Sequence, residues 1–382
     1  MSNAVRFSSY GGPEVLEVVE IEAPLPRPAE VLVEVYATGL NPAESALRRG
    51  EARAGSTVEL PARQGRDLAG VVIATGPGVE RFSRGDEVMG WGEGTQASHV
   101  VVPESQLMPK PPGISWEVAG SLATAGTMAW NAVEGLALGP ADTVVVTAAA
   151  GGVGCLAAQF ARLHGATVIG TSADARFDFL RQFGIQPLGY GPGLAARVRV
   201  TTSAPITAFL DFLGGEAGAA VELGVPTGRV LTVLDEEAID ERGVARVEPG
   251  DLVALGRVSA AIAAKQVRLP IADVFAIDEV AEAYRALDRR DAAGKIVLGL
   301  RVVDYPGQRV KEPAIKEQDV TLGVPTPHER LEAVEAVPAA IGDGSVRRRH
   351  REAREQADAG ARGQADAEAH EQTDAEGGRP HP

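Results

Sequence analysis

A glycine-containing turn between a predicted strand and a predicted helix is the part of this sequence best suited to bind a phosphorylated ligand. Residues 143–147 are apolar and β-branched, which is typical of a strand buried on both faces. The turn AAAGGVG at 148–154 follows, and apolar residues then recur at helical spacing as far as Leu163. Residues 167–170 predict a second buried strand, so the whole stretch predicts a βαβ unit.

The chemistry suited to this turn is the binding of a pyrophosphate. Glycine lets backbone N–H groups approach a ligand where a Cβ would block them, and the following helix adds unpaired N–H groups and the positive end of its dipole. The spacing is that of G-x-G-x-x-G, with Ala149 at the first position and Gly151 and Gly154 at the others. Because the motif lies between strand and helix, it predicts a dinucleotide site. The alternative is a glycine-rich turn that binds nothing.

The end of the second predicted strand indicates which dinucleotide is bound. NAD-binding units usually place Asp or Glu there, about 20 residues beyond the glycines, to bind the ribose hydroxyls. Here the position is held by Ser172, and Arg176 follows it. A hydroxyl and a nearby cation suit a 2′-phosphate, which a carboxylate would repel, so we predict NADPH. Asp174 keeps open the alternative that Arg176 is simply a solvated residue.

Length and composition limit what else the chain does. Its 382 residues, 45% of them apolar, are enough for two or three domains with a real core. A net charge of −15 argues against nucleic acid or an anionic membrane as partner. No signal peptide or membrane-spanning apolar run is found, and the single cysteine, Cys155, excludes an internal disulfide. We therefore expect a cytoplasmic protein.

The sequence on either side of the turn predicts two regions of different architecture. Short strands between turn clusters over residues 5–111 predict a compact antiparallel β domain. A helical stretch at 119–136, interrupted by glycine, leads into the βαβ unit, and a helix through Phe183 follows that unit. Strands at 206–212 and 229–234 alternate with a helix at 216–223, which predicts a parallel sheet. Further elements are predicted at 251–267 (helix), 278–288 (helix) and 295–300 (strand).

Residues 304–382 differ in composition from the rest. They are rich in Ala, Glu, Gln, Arg, Asp and Gly and contain the near-repeats EQADA and GQADA. Such a segment buries too little apolar surface to offset its chain entropy, so we predict a disordered C-terminal tail. A protein-binding tail is the alternative.

Five motifs in order resemble those of the medium-chain dehydrogenase/reductase superfamily, and within it the zinc-independent quinone oxidoreductase branch. They are GLNP at 39–42, GRDLAGV at 65–71, GDEV at 85–88, AW at 129–130 and AAAGGVG at 148–154, with GKIVL at 294–298 closing the match. The resemblance implies an α/β fold in which a GroES-like β domain (1–117) is followed by a Rossmann doubly wound parallel-sheet domain (118–250) and a return segment (251–303). The active site would lie in the cleft between the two domains, and a homodimer is expected by analogy.

The resemblance also bears on metal and substrate. Alcohol dehydrogenases of the superfamily bind zinc through a cysteine near the Asn41 region and a His-Glu pair, but this chain has no cysteine there and has Arg66-Asp67 in place of the pair. We therefore expect no metal. The reaction implied is hydride transfer from NADPH to a quinone or an α,β-unsaturated carbonyl. No Tyr, His or Lys stands out as general acid, so water or a cofactor hydroxyl would supply the proton.

The site residues are likewise implied by position in the family's motifs. Asn41 would bind the substrate carbonyl, although it equally suits a turn before Pro42. The resemblance implies three groups of cofactor-binding residues. The pyrophosphate would be bound by Ala150, Gly151, Gly152 and Val153, and the nicotinamide would lie near Thr127 and Leu213. The 2′-phosphate would lie near Ser172, Arg176 and Tyr190.

Three departures from the family pattern leave a second function open. Ala46 and Ala52 stand where quinone reductases often have tyrosines, and Met128 replaces a threonine, with Thr127 one position early. The region between Leu234 and Asp251 is short, so we expect part of the usual cofactor lid to be missing. The alternative is a noncatalytic NADPH-binding redox sensor or interaction protein that acts through its tail.

Overall fold

The computed structural model describes residues 1–51, 58–233 and 235–301. Ala52 and the predicted tail at 304–382 lie outside the described residues. The strands are β1 (Ser2–Phe7), β2 (Leu16–Ile21), β3 (Glu30–Gly39), β4 (Ala62–Arg63), β5 (Asp67–Thr75), β6 (Glu87–Trp91), β7 (His99–Pro103), β8 (Leu107–Pro109), β9 (Thr143–Val146), β10 (Thr167–Ser172), β11 (Gln186–Gly189), β12 (Ala208–Asp211), β13 (Val230–Thr232), β14 (Ala245–Arg246), β15 (Ile271–Ala276) and β16 (Lys295–Gly299).

The helices pack around these strands. They are α1 (Pro42–Arg49), α2 (Trp116–Ala119), α3 (Leu122–Gly135), α4 (Gly152–Leu163), α5 (Phe177–Gln182), α6 (Leu194–Thr201), α7 (Ala217–Glu222), α8 (Glu236–Arg242), α9 (Leu252–Ala263) and α10 (Val280–Asp288). Single 3₁₀ turns occur at Pro13–Val15, Glu104–Gln106, Asp174–Arg176, Thr227–Arg229 and Ile277–Glu279.

The middle of the chain forms a six-stranded parallel sheet. Its spatial order is β11-β10-β9-β12-β13-β14, which is the order 3-2-1-4-5-6 of a doubly wound sheet. β9 lies at the centre and is buried along its whole length, as its apolar, β-branched sequence predicts. The predicted parallel sheet is confirmed.

Both ends of the described chain build the second, mainly antiparallel sheet. Its order is β15-β16-β3-β5-β6-β8, with β7 also paired to β3, and a smaller sheet is formed by β2-β1-β4. β16 pairs antiparallel to β3, whereas β15 and β16 are parallel to each other. The predicted α/β fold, with an antiparallel β domain beside a doubly wound domain, is confirmed.

The helical region before the glycine turn has the predicted interruption by glycine. Helices α2 and α3 are separated at Gly120, where a Cβ would lie 2.4 Å from the carbonyl oxygen of Ala37 on β3. The structure also contains α1, which no apolar periodicity predicts, because the residues it buries are polar: Glu44, Ser45 and Arg48. β11, α6 and β15 were likewise not predicted.

Candidate functional site

The glycine turn has the backbone geometry of an anion-binding helix start. Gly151 is the N-cap of α4, and the first helical hydrogen bond runs from the Cys155 N–H to the Gly151 carbonyl oxygen (2.9 Å). The N–H groups at the start of a helix have no acceptor within it, so the turn offers donors to a ligand. Ala148 has φ +48° and makes the left-handed bend that the turn requires.

The glycines of the turn serve different purposes. A Cβ on Gly154 would lie 2.3 Å from the Ala148 carbonyl oxygen, so the close approach of helix to strand requires glycine there. A Cβ on Gly151 would meet only that same oxygen, at 3.3 Å, and would otherwise project into open space. Packing within the protein therefore does not by itself explain a glycine at position 151. The open space beside Gly151 agrees with the predicted contact to a pyrophosphate.

The turn is bonded directly to the β domain. The Gly294 N–H donates to the Ala150 carbonyl oxygen (2.8 Å), and Gly151 and Gly294 form a parallel bridge. Lys295 lies over the turn, since a Cβ on Gly152 would be 2.6 Å from the Cδ of Lys295. The stem of Lys295 thus fills the space beside Gly152.

The Lys295 ammonium binds the residue predicted to contact substrate. It donates to the carbonyl oxygen of Leu40 (2.5 Å) and to Oδ1 of Asn41 (2.7 Å). The Asn41 amide nitrogen donates in turn to Oδ2 of Asp67 (3.2 Å) and to the Gly39 carbonyl oxygen (3.4 Å). Lys295, Asn41 and Asp67 are all buried, so Asn41 is held in one orientation by a cation on one side and a carboxylate on the other.

Asp67 also connects the β domain to α3. Its Oδ1 accepts from both the backbone N–H (3.0 Å) and the hydroxyl (2.5 Å) of Thr124. Burial raises the pKa of Asp67, and the nearby Lys295 charge opposes that rise. Burial lowers the pKa of Lys295, and the Asp67 charge opposes that fall. The two groups therefore offset part of each other's desolvation.

A second buried network lies behind Asn41. Oε2 of Glu44 accepts from the Tyr284 hydroxyl (2.8 Å), the Asn41 backbone N–H (3.0 Å) and Nε2 of Gln96 (3.3 Å). Burial raises the pKa of Glu44, and burial together with the Glu44 charge raises the pKa of Tyr284. The Arg48 guanidinium stacks 4.7 Å from the centre of the Tyr284 ring. These contacts fix α1, and with it Asn41.

The residues predicted near the cofactor's 2′-phosphate lie at the end of β10 and beyond. Ser172 is buried and its hydroxyl donates to the Ala173 carbonyl oxygen (3.1 Å). The Arg176 guanidinium donates to the Asp291 carbonyl oxygen (3.0 Å), which places it at the loop before Lys295. Tyr190 is 54% exposed.

The two residues predicted near the nicotinamide have internal hydrogen bonds. The Thr127 hydroxyl donates to the Ala123 carbonyl oxygen (2.5 Å), so only its lone pairs remain for a ligand. The Leu213 N–H donates to the Thr147 hydroxyl (2.9 Å) at the end of the central strand. The cofactor-binding roles of these residues, and of Val153 on the first turn of α4, stay predictions.

Comparison with known proteins gives the family. The chain is 30% identical over 328 residues to a quinone oxidoreductase of Pseudomonas aeruginosa, and the match covers 78% of this chain and 99% of that relative. The chain therefore belongs to the medium-chain dehydrogenase/reductase superfamily. Within the superfamily it falls in the quinone oxidoreductase-like branch, as its motifs predict. An alcohol dehydrogenase GroES-like domain matches residues 27–112 and a zinc-binding dehydrogenase domain matches residues 195–298.

Other members of the superfamily match over different lengths. A chloroplast envelope quinone oxidoreductase homolog of Arabidopsis thaliana is 33% identical over 195 residues, which is 48% of this chain and 59% of that relative. The chain thus spans about three fifths of the length of that plant relative.

Solved structures of the superfamily share the fold. The quinone oxidoreductase of Coxiella burnetii has a TM-score of 0.72 at 27% identity and covers 78% of this chain and 99% of its own. An NAD-dependent alcohol dehydrogenase has a TM-score of 0.70 at 28% identity, and a mycobacterial protein solved in complex with NADPH has 0.69 at 26%. Each of these two covers 78% of this chain and 100% of its own.

Two searches of the described residues bear on metal binding and on membrane insertion. Within residues 1–51, 58–233 and 235–301, no group of three or more His, Cys, Asp and Glu side chains is arranged to hold a metal ion. In the same part of the chain, no helix is both long and apolar enough to cross a bilayer. Cytoplasmic location and a homodimer stay predictions.

Sequence reasoning about this member of the superfamily missed the residues that hold Asn41. Lys295, Asp67, Glu44 and Tyr284 were not predicted as site residues, although GKIVL and GRDLAGV were noted as motifs. The sequence signal that could have identified them is a charged residue at the start of an apolar strand: Lys295 begins β16 and Asp67 begins β5. Of the three residues that depart from the family pattern, Met128 is half-buried against the core and Ala46 lies half-buried on α1, while Ala52 is outside the described residues.

Proposed function

We propose that this chain binds NADPH at the turn formed by Ala150, Gly151, Gly152 and Val153 and reduces a quinone or an α,β-unsaturated carbonyl by hydride transfer. The observation that carries the proposal is the contact between this turn and the Lys295–Asn41–Asp67 network, which places a helix start with unpaired N–H groups beside a buried polar cluster. When bound, NADPH supplies the hydride, and the protein supplies position and exclusion of water.

The choice of NADPH is supported by charge. Arg176 provides a cation beyond the end of β10, and Ser172 provides no carboxylate there to repel a 2′-phosphate. A structural neighbour was solved with NADPH, while another is described as NAD-dependent, so the superfamily accommodates both. The residues of this chain favour the phosphorylated coenzyme.

In the proposed reaction, Lys295 is the hydrogen-bond donor to the oxygen of the substrate that accepts hydride. An ammonium has three protons, and Lys295 donates to two acceptors, the Leu40 carbonyl and Asn41. We assign the third proton to the oxygen of the bound acceptor, which becomes more negative as hydride is delivered. Asn41, whose amide nitrogen already donates to Asp67 and Gly39, holds this ammonium in place.

The proposal requires no metal. Asp67, in the place where zinc-binding relatives have a ligand pair, is engaged by the amide nitrogen of Asn41 and by Thr124. Its carboxylate therefore has a role in positioning, and activation of an electron-poor acceptor needs only a hydrogen-bond donor.

The direct experiment is to mix the purified protein with NADPH and a panel of quinones and enones. The absorbance of NADPH is the readout. We expect turnover above background with at least one acceptor. NADPH binding without any turnover would instead support the noncatalytic sensor.

Coenzyme choice has its own test. We expect Arg176→Gln to weaken NADPH binding about tenfold and to leave NADH binding unchanged, because only NADPH carries the 2′-phosphate. Arg181→Gln is the matched control, since Arg181 is exposed and paired with Asp178. Equal losses for both coenzymes in Arg176→Gln would contradict the assignment.

A further inference from the structure

A cavity of about 150 Å³ lies between α1 and the C-terminal end of α10. Helix α1 contributes residues spaced three and four apart, which lie on one face of that helix. Helix α10 contributes residues from its C-terminal end. The lining residues are Pro42, Ser45, Arg49, Leu287, Asp288 and Arg290.

The hydroxyl of Ser45 is the unexplained group in this cavity. Ser45 is only 1% exposed, and its Oγ has no hydrogen-bond partner among the described residues. A buried hydroxyl without a partner is unfavourable, and native proteins rarely leave one. A bound acceptor would satisfy it.

The charges around the cavity leave an excess of positive charge. Asp288 is already compensated, because Oδ2 lies 3.3 Å from Nη2 of Arg48 and Oδ1 lies 3.4 Å from Nη1 of Arg49. Arg49 also pairs with Glu51 through its Nε (2.8 Å). Arg290 then brings a third guanidinium against two carboxylates, so the cluster carries one net positive charge.

We propose that this cavity binds a small oxyanion, either inorganic phosphate or the phosphate or carboxylate group of a small metabolite. The guanidinium groups of Arg49 and Arg290 match the geometry of oxyanion oxygens, and the Ser45 hydroxyl donates a further hydrogen bond. A cavity of this size holds a molecule about as large as benzene, which admits a phosphate group. The site shares no residue with the proposed cofactor turn, so it stands or falls independently of the proposed function.

Calorimetric titration of the full-length protein tests the site, with inorganic phosphate in one arm and acetate in the other, both in chloride buffer. We expect saturable binding of one ion per chain in at least one arm, and the arm that binds identifies the class of oxyanion. Arg290→Gln should raise the dissociation constant about tenfold, and Ser45→Ala should raise it by a smaller, measurable factor. Arg290 is exposed, so its replacement leaves folding intact.

Two control variants make the result decisive. Arg84→Gln removes one positive charge at an exposed position elsewhere, and Arg176→Gln removes one at the cofactor cleft. The proposal is overturned by absence of saturable binding, by an equal loss in Arg84→Gln, or by a loss confined to Arg176→Gln. Crystals soaked in selenate should show an anomalous peak beside Ser45 and Arg290, and a peak only at the glycine turn would overturn it too.

Discussion

The ammonium nitrogen of Lys295 lies 2.7 Å from the side-chain oxygen of Asn41, although 254 positions separate the two residues in the chain. Strand pairing produces this contact. β16 runs antiparallel to β3, and the Leu40 N–H donates to the Ile296 carbonyl oxygen (2.9 Å) just beyond the paired residues. The candidate site therefore forms only when β3 and β16 are paired in the same sheet.

Replacement of Lys295 by methionine should destabilise the fold, because Asp67 and Glu44 would lose the nearby buried cation. Removing one partner of a buried charge pair costs about 3–5 kcal/mol. We expect a loss near the lower value, since Asp67 retains Thr124 and Asn41 as donors. Urea unfolding measures it. Lys265→Met, at an exposed lysine, should change stability by less than about 0.5 kcal/mol, and similar values for the two variants would show that the network contributes little.

Two glycines of the cofactor turn should separate folding from binding. Gly154→Ala places a Cβ 2.3 Å from a backbone oxygen and should lower the free energy of unfolding by about 2–3 kcal/mol. Gly151→Ala meets that oxygen only at 3.3 Å, so it should fold nearly as well and weaken NADPH binding about tenfold. Thermal unfolding and coenzyme titration give the two readouts. Undiminished NADPH affinity in Gly151→Ala would remove that residue from the site.

The stability of the protein should depend on pH through Glu44. Burial raises its pKa in the folded state above the ordinary 4.5, so the folded chain holds this proton more tightly than the unfolded chain. Stability relative to Glu44→Gln should therefore fall as pH rises from about 4.5 through the raised pKa and then level off. Each tenfold difference in proton affinity corresponds to about 1.4 kcal/mol.

Urea unfolding of wild type and Glu44→Gln across pH 4–8 gives the difference directly. Glu20→Gln, at an exposed position, is the control for the removal of one carboxylate. A flat difference for Glu44→Gln would mean that Glu44 ionises in the folded protein as easily as in the unfolded chain.

The thiol of Cys155 should be unreactive in the native protein. It is fully buried, and burial raises its pKa to about 12, so almost no thiolate forms at neutral pH. We expect no iodoacetamide adduct by mass spectrometry until urea unfolds the chain. Because this is the chain's only cysteine, any adduct is unambiguous. Native labelling as fast as that of the unfolded chain would contradict the buried assignment.

The sequence by itself determined the elements that depend on neighbouring residues. The buried strand, the glycine turn and the amphipathic start of α4 follow one another within about 20 positions, so composition and spacing specify them locally. The alternation of strands and helices likewise predicted the parallel sheet. These are the parts for which local preference and tertiary packing agree.

Only the tertiary structure decided how the site is assembled. Hydrophobic periodicity does not predict helix α1, because its buried residues include Glu44 and Arg48. These two side chains are buried against the polar groups of Tyr284 and Asp288, which lie about 240 positions further along the chain. Lys295 meets Asn41 for the same reason. A buried charge becomes tolerable only when distant groups compensate it, and no single stretch of sequence contains both members of such a pair.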